Sequence, residues 1–424
     1  MMNNGVLMSF TNFKFHPQIA AGLQSCGYST PTPIQKEAIP HILEGRDIMG
    51  LAQTGTGKTA AFVLPLLQRL MAGPRKKTRA LIVAPTRELA EQIHVNIIKM
   101  AGKTGLKSVV VYGGVGKQPQ IRGIQSGAEI IVACPGRLLD LLRSGAFSLR
   151  HVEMLVLDEA DHMFDQGFLP DVRRILAQLP KKRQSLIFSA TMPAQIRHLA
   201  EDVLTNPVNV QINHTLPAPT ITHTLVAVTQ PQKTAVLKNL LGDWKDSTTL
   251  VFTRTKHKAR SLAIMLQKAG HRASSLQGNM SQQQRQQAMS GFRNGTHTIL
   301  VATDIAARGI DVEGIAQVVN YDMPDTAETY THRTGRTGRA TLTGKAYTFA
   351  AGEDAKMIAL IERNLGMKMV RDTSQQTGLN GNTPVYATEQ KQQRKQSKKP
   401  GAAAARKSRR SRASSYDFGM RKSA

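Results

Sequence analysis

The sequence predicts an α/β protein built from two doubly wound parallel sheets and followed by a disordered basic tail. Three observations lead there. Short apolar runs rich in β-branched residues alternate with longer segments of helical period, and this pattern occurs in two halves of the chain. The third is residues 391–424, with twelve Lys and Arg against one Asp and no Leu, Ile or Val. Near-continuous apolar runs suit strands covered on both faces, and the helices between them suit right-handed crossovers. The tail cannot bury enough apolar surface to offset its ordering entropy. A length of 424 residues leaves room for two or three domains, and 41 % hydrophobic residues suffice for ordinary cores.

In chain order, the first half offers strand candidates at Asp47 to Leu51, Ala80 to Ala84, Ser108 to Tyr112, Ile130 to Ala133, Met154 to Leu157 and Ser185 to Phe188. Asn206 to Thr220, with Pro207, Pro217 and Pro219, reads as a linker. The second half offers Thr249 to Phe252, Thr298 to Ala302, Gln317 to Asn320 and Ala346 to Ala350. A polar stretch beginning near Arg371 blurs the start of the tail.

The formal net charge of +27 points to a polyanionic partner, nucleic acid before an anionic membrane. Cys26 and Cys134 are too few for a disulfide framework or a four-ligand zinc site, which points to a reducing compartment. Met1 to Pro17 has no basic segment leading into an apolar one, and no apolar run nears the ~18 residues of a membrane span, so a cytoplasmic protein is expected.

Two motifs carry phosphate chemistry. Ala52-Gln53-Thr54-Gly55-Thr56-Gly57-Lys58-Thr59 follows a strand and opens an apolar helix; it is a P-loop except that Ala52 replaces the first Gly. Small residues let backbone N–H groups close around phosphate oxygens, Lys58 reaches the β and γ phosphates of ATP, and Thr59 supplies a hydroxyl to Mg²⁺. Downstream, the apolar run Met154 to Leu157 delivers Asp158-Glu159-Ala160-Asp161 to the carboxyl end of a strand, where α/β sheets place their ligands. There Asp158 suits Mg²⁺, and Glu159 suits orienting and deprotonating an attacking water.

The second half lacks such a loop: Thr253-Arg254-Thr255-Lys256, after its first apolar run, contains no glycine. One nucleotide site shared across a cleft is therefore expected, with the second domain contributing His332-Arg333-Thr334-Gly335-Arg336-Thr337-Gly338-Arg339. Arginines inserted from a neighbouring domain stabilise charge on a transferring phosphoryl group.

Over about residues 10 to 365 these motifs, in this order, resemble the DEAD-box RNA helicase family, with the flavour of its bacterial RhlE type. The resemblance implies two RecA-like domains that bind ATP between them and grip single-stranded RNA across both. The implied layout is an ATP-binding domain at 1–206, a linker at 207–220, a second domain at 221–370 and an RNA-binding tail at 371–424. It further implies that Gln35, within Gly27 to Gln35, reads the adenine edge while Phe10 stacks on the base. Arg87, Gly114, Arg137, Thr303 and Arg308 would lie along RNA, and Asp311 near the ATP ribose. Arg336 and Arg339 would be the arginine fingers. Ser189 and Thr191 would couple hydrolysis to strand separation through hydrogen bonds to the Asp158 to Asp161 segment, with Arg285, His332 and Arg333 as further coupling residues. The family usually has Thr where this chain has Cys134, and a thiol is a poor substitute for a hydroxyl donor.

The function expected from the resemblance is RNA-stimulated ATP hydrolysis coupled to local, non-processive unwinding of short duplexes and remodelling of RNA-protein complexes. Ribosome assembly or RNA decay, often in cold adaptation, are the settings it suggests, with ribosomal particles or a degradation complex as partners. Two other classes stay open. A DNA helicase on the same paired domains is disfavoured by the absence of a cysteine cluster, and an RNA-annealing chaperone would act through the basic tail, with ATP secondary.

Overall fold

The computed structural model describes residues 9–372 apart from 54, 213–220, 245–246, 308–311, 313 and 339–342. Seven strands form the first sheet: β1 (Ile48–Leu51), β2 (Ala80–Val83), β3 (Ser108–Val111), β4 (Ile130–Ala133), β5 (Met154–Leu157), β6 (Gln184–Ser189) and β7 (Val208–Gln211). The second holds β8 (Ile221–Ala227), β9 (Thr249–Phe252), β10 (Ala273–Leu276), β11 (Ile299–Ala302), β12 (Gln317–Asn320), β13 (Gly344–Ala350) and β14 (Val370–Asp372). All pairings are parallel. The orders are β3-β4-β2-β5-β6-β1-β7 and β10-β11-β9-β12-β13-β8-β14, so the same winding occurs twice.

Alternate residues of each central strand enter different cores, as expected of sheets covered on both faces. In β5, Met154 and Val156 join one cluster, while Leu155 and Leu157 join another on the opposite face. In β9, Val251 and its neighbours Leu250 and Phe252 divide in the same way. This double coverage is why these runs contain no polar alternation.

Four strands differ from the sequence expectation. β7 pairs with β1, so Val208–Gln211, assigned to the linker, belongs to the first sheet. β14 pairs with β8, which carries the second sheet to Asp372. β8 opens the second half one strand earlier than Thr249, and β10 lies at the sheet edge. Their sequences, VNVQ, VRD, ITHTLVA and ASSL, contain polar residues, as edge or partly covered strands do. The rest of the proposed linker, 213–220, and the tail from 373 lie outside the described residues. Among the described residues no helix is long and apolar enough to cross a membrane.

Candidate nucleotide and nucleic-acid site

The winding sets three loops side by side. β6 lies between β1 and β5, with Leu51 opposite Ser189 and Leu157 opposite Ile187. The carboxyl ends of the three strands therefore present the P-loop, Ser189-Ala190-Thr191 and Asp158 to Asp161 along one edge.

The P-loop runs from Ala52 to Gly57 and feeds the helix Lys58–Met71. Gly55 and Gly57 have φ of +87° and +92°, in the left-handed region that favours glycine. At Gly57 a Cβ would also lie 2.5 Å from Gln35 Nε2. Gln35 is 1 % exposed; its Oε1 accepts from Thr32 N at 2.9 Å and its Nε2 donates to Gly57 O at 3.0 Å. It thus fastens the Thr32 turn to the phosphate loop. One N–H and one lone pair of the amide remain as valence for a base edge. Phe10 is buried edge-on against Phe13 and Tyr28, each 6.0 Å between centroids. Lys58 Nζ donates to Ala52 O at 2.8 Å, Thr56 Oγ1 donates to Gln53 O at 2.7 Å, and Ala52 N donates to Ser189 O at 3.0 Å. Thr59 is half-buried on the first turn of the helix, and Thr54 lies outside the described residues.

Across β6, Asp158 is buried and its Oδ1 accepts from Glu159 N at 3.0 Å. Glu159 holds φ +51°, an uncommon conformation for a non-glycine residue, and its Oε2 lies 3.3 Å from His162 Nδ1. Burial pushes the Asp158 carboxyl up to about 7, with Lys58 opposing and Glu159 reinforcing. Burial acts to raise Glu159 as well, but His162, Lys58 and Arg336 overcome it and hold this carboxyl down at about 2. One buried carboxyl thus carries an unfavourable charge while its neighbour keeps its own.

The oxygen donors Asp158 and Thr59, with a buried carboxylate whose charge Lys58 only partly offsets, suit a hard divalent cation such as Mg²⁺. No cluster of three or more His, Cys, Asp or Glu fit for a metal occurs among the described residues. A cation here would therefore draw its other ligands from phosphate oxygens and water, as Mg²⁺ commonly does.

Asp161 links this segment to β6. Its Oδ2 accepts from Ala190 N at 3.2 Å and from both Thr191 N and Thr191 Oγ1 at 3.0 Å. Ser189 Oγ accepts from Asp161 N at 3.2 Å. One hydroxyl donates and the other accepts, and both bonds converge on Asp161 rather than on Asp158.

The second sheet supplies the facing wall. A crevice is lined by Glu159, Asp161, His162 and Asp165 from one side and by His332 and Arg336 from the other. Arg336 is 3 % exposed, and its Nε donates to His332 O at 3.2 Å. Arg333, expected at the interdomain contact, points elsewhere. It bonds Asp304 through Nε at 2.6 Å and Nη2 at 2.8 Å, and through Nη1 reaches Asn320 Oδ1 at 3.2 Å and Asp322 O at 2.7 Å. Its guanidinium also stacks 5.1 Å from the Phe252 ring. All these partners belong to the second sheet's half, so Arg333 holds that half together. Arg308, Asp311 and Arg339 lie outside the described residues.

A groove of about 590 Å³ gathers Arg87, Arg137, Arg285 and Thr303 from both halves. Across it, Arg285 Nε donates to Glu88 Oε1 at 2.6 Å, and Arg87 Nη1 donates to Gln282 Oε1 at 3.2 Å. The Arg285–Glu88 pair is 12 % and 11 % exposed, so removing one partner strands a largely desolvated charge. Gly114 has φ +82°, and a Cβ there would meet Arg87 Nη1, so this glycine makes room for the guanidinium. Arg137 Nη1 donates to Val115 O at 3.0 Å. Cys134 precedes the helix Pro135–Arg143 without a side-chain capping bond, and burial pushes its thiol up to about 12, leaving it neutral.

The groove also contains Phe168, Arg254, Lys256, Met280 and Ile305, which sequence reasoning did not assign as single residues. Ile305 is 67 % exposed, an apolar side chain placed beside basic ones. The signal lay in the repeat. Thr86 and Thr255 each sit three residues past a strand end, after β2 and β9, and cap the next helix by accepting from Leu89 N and Lys258 N at 3.2 Å. Lys256 therefore occupies in the second half the position Arg87 holds in the first. Likewise the counterpart of the P-loop is the segment after β8, where Lys233 opens a helix as Lys58 does. No glycine precedes it, and Lys233 is buried 3.7 Å from Asp322. The second half's phosphate lysine position is thus closed by an internal carboxylate.

Comparisons with known proteins agree with this geometry. The DEAD/DEAH box helicase family profile matches residues 32–199, and the Helicase conserved C-terminal domain profile matches residues 232–341. A rice protein named DEAD-box ATP-dependent RNA helicase 40 is 41 % identical over 360 residues, 83 % of this chain and 45 % of its own. The chain thus spans about half the length of that relative. The DEAD-box ATP-dependent RNA helicase CshA of Geobacillus kaustophilus is 38 % identical over 366 residues, 86 % of this chain and 78 % of its own. Among solved structures, yeast Dbp5 bound to RNA and ADP BeF3 is 32 % identical with a TM-score of 0.78, covering 86 % of this chain and 95 % of that one. With the motifs in place on two sheets of identical winding, and with similarity of this extent, the chain belongs to the DEAD-box ATP-dependent RNA helicase family.

Proposed function

We propose that this chain is an RNA-dependent ATPase that separates short RNA duplexes locally, by binding ATP and a single strand between its two halves. The observation that carries the reading is the facing of Glu159 and Asp161 with His332 and Arg336 in one crevice, beside a groove with basic residues from both halves. Neither half supplies both sets of groups.

In this mechanism Lys58 and the P-loop N–H groups hold the phosphates, and Gln35 and Phe10 hold the base. Asp158 and Thr59 would hold Mg²⁺, which would offset phosphate charge. Glu159, already ionised, orients a water on the γ-phosphate and accepts its proton. Arg336, with Arg339 by family pattern, stabilises charge on the transferring group. Asp161, tied to Ser189 and Thr191, shifts with the phosphate loop and carries the change to the crevice. Arg87, Gly114, Arg137, Thr303 and Arg308 contact the sugar-phosphate backbone, which carries no sequence information directly. RNA bent across both halves cannot stay paired, so binding separates the strands and hydrolysis resets the cleft.

The same reading takes the family boundaries, with the first domain extended to Gln211 and the second to Asp372, followed by a basic tail that tethers RNA. We place the chain with bacterial RhlE-type members, acting in the cytoplasm on ribosome assembly or RNA decay.

Measuring ATP turnover with single-stranded RNA and with DNA of the same sequence tests the reading. RNA should stimulate turnover at least about tenfold over both DNA and no nucleic acid, a transition-state difference of about 1.4 kcal/mol. Equal stimulation by DNA would favour a DNA translocase.

A further inference from the structure

The repeat exposes a difference between the halves that the helicase reading does not use. In the first, the corner between the helix after β2 and the loop after β3 is filled: the buried Tyr112 hydroxyl donates to Glu91. Glu91 lies five residues past the capping Thr86, and Tyr112 directly follows β3. The same offsets in the second half give Arg260, five residues past the capping Thr255, and Gln277, directly after β10. An acid has become an arginine, and a ring has become an amide.

The corner is consequently open. A cavity of about 450 Å³ lies beside edge strand β10, lined by Lys256, His257, Arg260, Asn279, Gln287 and His297 among others, and by Ser274 and Ser275 of the strand. No Asp or Glu is among the described residues lining it. It adjoins the interdomain groove, sharing Lys256 and Met280, and Gln277 and Asn279 line the cavity while Gly278 between them lines the groove.

We propose that this cavity is a second backbone site for single-stranded RNA, holding phosphates of the strand after it leaves the groove. The inference rests on the RNA-helicase reading and extends it. Arg260 and Lys256 supply charge, while the serine, asparagine and glutamine side chains supply neutral donors for phosphate oxygens and the ribose 2′-OH. Continuity with the groove selects RNA over an acidic protein segment, because a strand already held by Lys256 has its next phosphates beside Arg260. In the first half, Glu91 at the equivalent position would repel a phosphate, so the strand is prolonged on one side only.

Arg260 is exposed on its helix, so Arg260→Glu should fold normally, and Gln287→Glu, also exposed, is an independent variant. The test is fluorescence anisotropy of the full chain with a non-hydrolysable ATP analogue and Mg²⁺, using 6-nucleotide and 16-nucleotide oligouridine across a salt series. Both variants should bind the 16-mer more weakly, Arg260→Glu by about tenfold with its salt slope reduced by about one, while the 6-mer is held as in wild type. Equal loss on both lengths, or none on either, overturns the proposal and leaves the helicase reading standing. A labelled oligoglutamate peptide whose binding is lost in Arg260→Glu, with 16-mer binding unaffected, overturns it in favour of a protein partner. Failure of wild type to bind either RNA in a nucleotide-dependent way overturns both.

Discussion

Replacing Glu159 by Gln should leave ATP binding within about threefold of wild type and lower kcat by about 10² to 10⁴, the usual range for removing a general base. Gln has the same Cβ and nearly the same volume, so it meets the same demand at φ +51° that Glu meets. It can still accept from His162 Nδ1, now 3.3 Å from Glu159 Oε2. What it cannot do is take a proton from water. The variant should accumulate with ATP and RNA both bound, because the crevice closes without hydrolysis to reopen it. Single-turnover hydrolysis and RNA dissociation, measured together, check this: slow chemistry with slow release is expected. Rapid multiple turnover would remove Glu159 from the mechanism.

Replacing Arg336 by Ala should reduce RNA-stimulated kcat by about 10³ to 10⁵, the effect of losing an arginine finger, equivalent to about 4–7 kcal/mol. ATP and RNA should each still bind, since neither the P-loop nor the groove includes this side chain. Its Nε bond to His332 O, a contribution of about 1 kcal/mol, is lost with the side chain. Arg333→Ala makes the contrast. It removes four hydrogen bonds within the second half and leaves Asp304 without its guanidinium, so its main effect should be on folding. Thermal unfolding with ATPase assays separates the two: a folded, inactive Arg336 variant is expected beside a destabilised Arg333 variant. Near-normal turnover in folded Arg336→Ala would show that the crevice does not assemble the catalytic site.

What could be read in the sequence depended on how far apart the cooperating residues are. The phosphate loop is contiguous and sits between a strand and a helix, so its residues announced both the site and its chemistry. The Glu88–Arg285 pair is separated by 197 positions and became visible only when the two sheets faced each other. Arg333 and Arg336 look alike in an arginine-rich octapeptide. The family resemblance gave them different roles, but the positions of Asp304, Asn320 and Asp322 were needed to show that Arg333 braces its own half while Arg336 faces Glu159. The β8 strand escaped notice for a simpler reason: Thr222, His223 and Thr224 interrupt its apolar pattern, yet His223 is buried against the Tyr330 hydroxyl at 2.8 Å. Missing β8 shifted the second half by one strand and hid the equivalence of Lys233 with Lys58. The same shift hid the correspondence of Arg260 with Glu91.

The central claim is that nucleotide and RNA occupy one cleft and each favours the other. Coupling between sites is reciprocal, so the factor by which ATP tightens RNA must equal the factor by which RNA tightens ATP. Titrating the Glu159→Gln protein with RNA at zero and saturating ATP, and with ATP at zero and saturating RNA, measures both. Equal factors of at least about tenfold, corresponding to 1.4 kcal/mol or more, are predicted. Factors of one in both directions would mean two independent sites and contradict the account.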